Sequence, residues 1–171
     1  GKITDALGGL GLFGCELFVK GDDVYANECS PRPHDTGMVT FVTHQLGFSQ
    51  AGLHVRAITG LPVPAIEEGD IRKIPSLTPG ASHVILSPSE GFDPMLGNVY
   101  NATNQLGVSL LFFGKPEAHV GRRMGVVLAT ADTVEDAKKK AEQVAHKIEM
   151  QTRQAAEWKK QQETRKHLLQ K

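Results

Sequence analysis

The chain has 171 residues with an apolar share of 40%, and its 19 basic and 19 acidic side chains give a formal net charge of zero. That is enough length and apolar content for a buried core, in one large domain or in two smaller pieces. The balanced charge excludes a global pull toward nucleic acid or an anionic membrane. No apolar run nears the ~20 residues of a membrane span, and the glycine-rich start lacks a secretory pattern. Two cysteines, Cys15 and Cys29, are too few for a disulfide framework. The composition therefore predicts a soluble, cytoplasmic protein, and the absence of an initiator methionine at Gly1 suggests further residues upstream.

The first clear element is a β-hairpin. Phe13 to Val19 and Val24 to Ser30 are apolar-rich runs separated by Lys20, Gly21, Asp22 and Asp23. A turn centred near Asp22 sets Glu16 opposite Glu28 and, on the other face, Cys15 opposite Cys29. Like charges directly across a sheet repel, so the glutamates need a cation between them, or one of them a proton. Two carboxylates with no nearby imidazole suit a hard ion, Mg²⁺ or Mn²⁺. The plainer reading is two solvated glutamates, and a one-residue register slip would separate them. Strand alternation keeps the thiols out of that site, which argues against zinc and makes them small packing residues.

Ser30 to Val39, SPRPHDTGMV, follows as a rigid polar loop with two prolines and a glycine. It brings Arg32, His34 and Asp35 near the glutamate pair. Either chemistry sits here, or His34 and Asp35 only satisfy loop amides.

A linker is expected through the prolines from Pro62 to Pro79. From His83 the pattern predicts a strand to Leu86, a helix from Pro94 to Leu106, and strands at Val108 to Phe113 and Met124 to Ala129, a small α+β unit. All eighteen glycines and all nine prolines precede Asp132, so one long helix is predicted after it. Val134, Ala137, Ala141, Val144, Ala145 and Ile148 form its apolar stripe, and Thr133 with Asp136 resembles a capping box. Beyond Ile148 the stripe dissolves into Gln, Lys and Arg around an isolated Trp158, which predicts a solvated helical or disordered tail. The expected pieces are thus 1–62, 63–131, 132–149 and 150–171.

Lys115, Arg122 and Arg123 cluster about a loop whose one countercharge is Glu117. Such a trio suits a phosphomonoester, with solvated hairpin charges as the alternative.

These strings resemble the formate-dependent phosphoribosylglycinamide formyltransferases, members of the ATP-grasp enzymes. The runs that carry the likeness are GLFGCELFV (Gly11 to Val19), ECSPRPHDTGMVT (Glu28 to Thr40), LHVRAITGLPVP (Leu53 to Pro64), FGKPE (Phe113 to Glu117) and GRRMGVVLATA (Gly121 to Ala131). Leu46 to Gly52, Glu67 to Lys73 and the tail fit it poorly. The resemblance implies an α+β fold: the C-terminal portion of an ATP-grasp domain (antiparallel hairpin plus helix), then a small β-rich α+β subdomain and a C-terminal helix. It implies ATP- and formate-dependent formylation of glycinamide ribonucleotide through formyl phosphate in purine synthesis, with ATP and Mg²⁺ required and a homodimer as the assembly. Residue by residue, Glu16 and Glu28 would ligate Mg²⁺; Asp35, Lys115, Arg122 and Arg123 would bind the ribonucleotide, with Asp35 also the catalytic base. The family enzyme is far longer, so the adenine-gripping residues are expected outside these 171, and this portion alone is expected to be inactive. The rival readings are an ATP-grasp ribonucleotide carboxylase using bicarbonate, and a non-catalytic fragment or interaction module.

Overall fold

Gly21 and Asp22 turn the chain tightly back on itself, with Gly21 at φ +60°, as a II′ hairpin requires at its first central position. The computed structural model describes residues 2–69 and 71–169. They fall into two compact units, which divide between Pro79 and Gly80.

The first unit begins with a short helix α1 (Lys2–Leu7), followed by the hairpin strands β1 (Gly14–Lys20) and β2 (Asp23–Ser30). A 3-10 turn (Thr36–Val39) leads into the single helical turn α2 (Thr40–Thr43), and a second 3-10 turn precedes α3 (Gln50–Thr59). Ser49 caps α3 by accepting from the Gly52 N–H at 3.3 Å, and Gly60 ends it in the left-handed region. The stretch expected as a bare linker instead carries a ribbon of β3 (Ile66–Glu68) and β4 (Ile71–Lys73).

In the second unit β5 (Gly80–Leu86), β6 (Gly91–Gly97), α4 (Val99–Thr103), β7 (Val108–Phe112), β8 (Glu117–Ala118), β9 (Arg123–Thr130), α5 (Val134–Lys147), β10 (Glu149–Arg153) and α6 (Ala155–Leu169) follow in order. One antiparallel sheet has the order β5-β9-β7, and a second has β10-β6-β8. Helix α5 buries Ala137 and lays Ala141, Val144 and Ala145 into a core with Ile85, Val127 and Ala129. Four members of the expected stripe are buried, because the 3.6-residue period puts these side chains on one face, while Val134 at its start is exposed and Ile148 at its end partly buried. Thr133 caps α5 by accepting from the Asp136 N–H at 3.1 Å. Its hydroxyl also donates to the Asp136 carboxylate at 2.7 Å.

Two expectations are corrected here. The helix predicted over Pro94–Leu106 is strand β6 followed by the five-residue α4. Asp93 and Pro94 together face Thr152 at a break in the β6–β10 register, with Asp93 at φ +50°. The missing proline N–H therefore costs no ladder bond, and Asp93 donates its own to the Pro116 carbonyl at 2.9 Å. Asn98, left-handed at φ +55°, then turns the chain into α4. Its side-chain amide donates to the Lys147 carbonyl at 2.9 Å, satisfying a group at the end of α5.

The residues after Ile148 follow the expected tail only in part: α6 is a polar and mostly exposed helix, but the strand before it and Trp158 are tied to the second unit. Ile148 leaves the helix in extended conformation, β10 pairs with β6, and α6 returns with Trp158 stacked on Phe92 at 5.0 Å. Arg153 adds an ion pair to Asp93 at 3.3 Å and donates to the Gln161 side chain at 2.7 Å.

Candidate metal centre

The β1–β2 register sets Cys15 opposite Cys29 and Glu16 opposite Glu28. It does so by a device that turn counting does not contain. From the turn outward the pairs run Lys20 with Asp23 through Leu17 with Ala26; continued unbroken, that register would put Glu16 against Asn27. A bulge places Asn27 as the extra residue, moving Glu28 into line. Asn27 then donates its side-chain amide to Glu16 Oε2 at 3.3 Å, and Ser30 Oγ donates to Glu28 Oε1 at 3.4 Å.

A third group stands with the pair. One ligand atom each of Glu16, Glu28 and His34 lie within 4.8 Å of one another, the carboxylates exposed and the imidazole half-buried. The loop folds His34 back over β1, as its expected place near the pair required, so the hairpin carboxylates are joined by an imidazole that the hairpin alone does not supply. Gly14 makes room for it, since a Cβ at that position would collide with the imidazole ring. His34 Nδ1 lies 3.0 Å from the Arg32 carbonyl, which accepts a hydrogen bond from it, while Nε2 is buried with no hydrogen-bond partner. Two carboxylates and a nitrogen lone pair form a donor set that fits a divalent ion of the Mg²⁺ or Mn²⁺ type, with Mn²⁺ tolerating the nitrogen better.

Gln50, absent from the sequence-based candidates, holds this loop. Its buried amide accepts from the His34 N–H at 3.1 Å and donates to the His34 carbonyl at 2.6 Å, while its own N–H bonds to Thr40 Oγ1 at 2.9 Å. Gly37 is the matching small residue, for a Cβ there would strike the Gln50 amide. A polar residue at the first position of an apolar-patterned helix, sixteen residues from its partner, leaves no local signal. Asp35 follows His34 and accepts from the Thr36 N–H at 3.1 Å, so one of its oxygens does satisfy a loop amide. A pocket of about 170 Å³ opens here among Phe13, Gly14, Glu16, His34, Thr36 and Gln50.

Lys115, Arg122 and Arg123 lie in the second unit, around the β7–β9 connection. Lys115 Nζ donates to the Arg123 carbonyl at 2.7 Å, and Arg122 donates to the Glu117 carbonyl at 2.9 Å. The Glu117 carboxylate lies 3.9 Å from the His119 imidazole.

The profile described as PurT, C-terminal matches residues 80–148, and that of the ATP-grasp domain matches residues 1–48. The formate-dependent phosphoribosylglycinamide formyltransferase of Pyrococcus abyssi is 54% identical over 169 residues, 98% of this chain and 39% of the relative. Over nearly its whole length the chain is similar to part of a formate-dependent phosphoribosylglycinamide formyltransferase. A second such enzyme, from Syntrophotalea carbinolica, is 49% identical over 87% of this chain and 35% of its own length. The chain thus spans about two fifths or less of the curated relatives it matches. Among solved structures, N5-carboxyaminoimidazole ribonucleotide synthetase from Thermotoga maritima superposes with a TM-score of 0.75 at 29% identity, over 89% of this chain and 40% of that one. Glycinamide-RNase-transformylase T from Mycobacterium tuberculosis gives 0.64 at 30% identity, over 86% and 38%. The fold is that of ATP-grasp enzymes, α+β with small antiparallel sheets.

Proposed function

We propose that these residues serve the ATP- and formate-dependent formylation of glycinamide ribonucleotide, in which formate activated as formyl phosphate is transferred to the substrate amine in purine synthesis. The observation that carries the reading is the Glu16–Glu28–His34 constellation on a hairpin and loop, in a chain 54% identical to an enzyme of that name. A divalent ion, Mg²⁺ in this reading, held by Glu16 and Glu28 with His34 beside them, supplies charge neutralisation for phosphate oxygens when bound.

The chain's own groups position and move protons. Asp35, on a turn braced by Gln50, orients the attacking amine and accepts its proton as the new C–N bond forms. Lys115, Arg122 and Arg123 bind the ribose 5-phosphate, the arginines as planar forks and the lysine as a point charge. A homodimer and a cytoplasmic location go with this reading, and no helix among the described residues is long and apolar enough to cross a membrane. The 171 residues alone are expected not to turn over, because they carry about two fifths of the length of the relatives.

The test is phosphate release by a protein of the relatives' full length carrying these residues. Release is expected to require formate and glycinamide ribonucleotide together; release driven by bicarbonate and an aminoimidazole ribonucleotide would establish the carboxylase alternative instead. Asp35→Asn is expected to lower kcat/KM by about 100-fold or more, the usual worth of a general base. Near-normal kinetics in that variant remove Asp35 from the mechanism.

A further inference from the structure

We propose that Cys15 and Cys29 are a reversible thiol–disulfide pair that fastens the β1–β2 ribbon in the register that sets Glu16 opposite Glu28. The two residues are direct cross-strand partners, and their sulfurs stand 2.8 Å apart, against about 2.05 Å in a disulfide. Closing that gap needs a small side-chain movement and no change of strand pairing. Cys15 is exposed and Cys29 half-buried, so a small oxidant reaches the pair.

The place of the pair gives the bond its consequence. It lies on the loop side of the Asn27 bulge, one residue before Glu16 and one after Glu28. Burial does little to choose the register on the turn side, since Leu17, Phe18, Val19, Val24 and Tyr25 are all more than half exposed. Ribbons exposed on both faces slip readily, and a slip here would separate the carboxylates. A covalent link at Cys15–Cys29 forbids it, whether or not the glutamates hold an ion.

The chemistry balances with a low-molecular-weight disulfide of the glutathione type as oxidant. Cys15, as thiolate, attacks one sulfur of that disulfide; a mixed disulfide forms and one small thiolate leaves. Cys29 then loses its proton and attacks the Cys15 sulfur, forming the intramolecular bond and releasing the second small thiolate. Two protein thiols are oxidised and one small disulfide is reduced to two thiols. Cys15, the exposed partner, is the one that meets the oxidant first.

The 171-residue chain is equilibrated with mixtures of oxidised and reduced glutathione, quenched with acid, alkylated and read by intact mass and peptide mapping. At ratios where a Cys29→Ser variant carries glutathione on Cys15, the wild type is expected to lose the mass of two hydrogens and to yield a linked Cys15–Cys29 peptide. Amides of residues 15–30 are then expected to exchange about tenfold more slowly in the linked chain than in the reduced one. A wild type that stops at the glutathione adduct, links between chains, or keeps both thiols free at those ratios overturns the proposal. So does a linked chain whose ribbon amides exchange at the reduced rate.

Discussion

His34 is held by its neighbours' smallness and by one amide. Gly14 yields the space its ring fills, and Gln50 grips its backbone from both sides. Gly14→Ala is therefore expected to push the imidazole off the carboxylate pair and weaken Mn²⁺ binding about tenfold, with an unchanged far-UV spectrum; equal affinity in the variant would show that the ring adds nothing to the site. Gln50→Ala leaves the His34 N–H and carbonyl without their partners and is expected to cost the first unit about 1–3 kcal/mol in urea titrations. The Cys29 thiol makes a kinetic prediction. Its proton is held chiefly by the hydrogen bond to Cys15, so the thiolate is scarcer at neutral pH than in an unperturbed cysteine and grows as pH rises. In Cys15→Ala that hold is gone, and alkylation of Cys29 by iodoacetamide at a fixed pH is expected to be faster.

Among the elements, α5 and its sheet carry the burial. Val144 is completely buried between them, so Val144→Ala is expected to destabilise the second unit by about 2 kcal/mol in denaturant melts. Trp158, the single tryptophan of the sequence, reports on α6 through its stack with Phe92. Phe92→Ala is expected to shift its emission toward that of a solvated indole while the α5 core melts as before. The same elements show what the residues disclosed in advance. The α5 stripe, the hairpin and the strands flanking Gly125 are periodic over enough positions to be read directly. Strand β10 was also written in the chain: Ile148, Met150 and Thr152 alternate with Glu149, Gln151 and Arg153, a change of period from 3.6 to 2 that is masked by the helix running into it. The β6 bulge was not, because Pro94 in a strand becomes permissible only once Thr152, far away in sequence, stands opposite. The metal site divides in the same way. Local alternation brings the glutamates near one another, whereas the Asn27 bulge, the His34 ring and the Gln50 clamp follow from tertiary packing.

At the scale of the whole molecule, the buried hydrophobic side chains among the described residues run from Ala81 to Ala145, within the second unit. Among the described residues of the first unit the buried ones are the polar Thr43, Ser49 and Gln50, and the hairpin exposes both its faces. A two-stranded ribbon without a covered face is marginal in water. Hydrogen exchange of the reduced chain is therefore expected to protect β5, β9 and α5 most strongly and the β1–β2 amides least; uniform protection across both units would contradict this distribution of stability.

In the proposed reading Glu16 and Glu28, brought into line by the Asn27 bulge, hold a divalent cation. Calorimetric titration of the 171-residue chain with Mn²⁺, beside Glu16→Gln and Glu28→Gln, measures whether they do. One ion per chain is expected in the wild type, with affinity lowered about tenfold or more in each variant. Equal Mn²⁺ affinity in all three proteins would contradict the account.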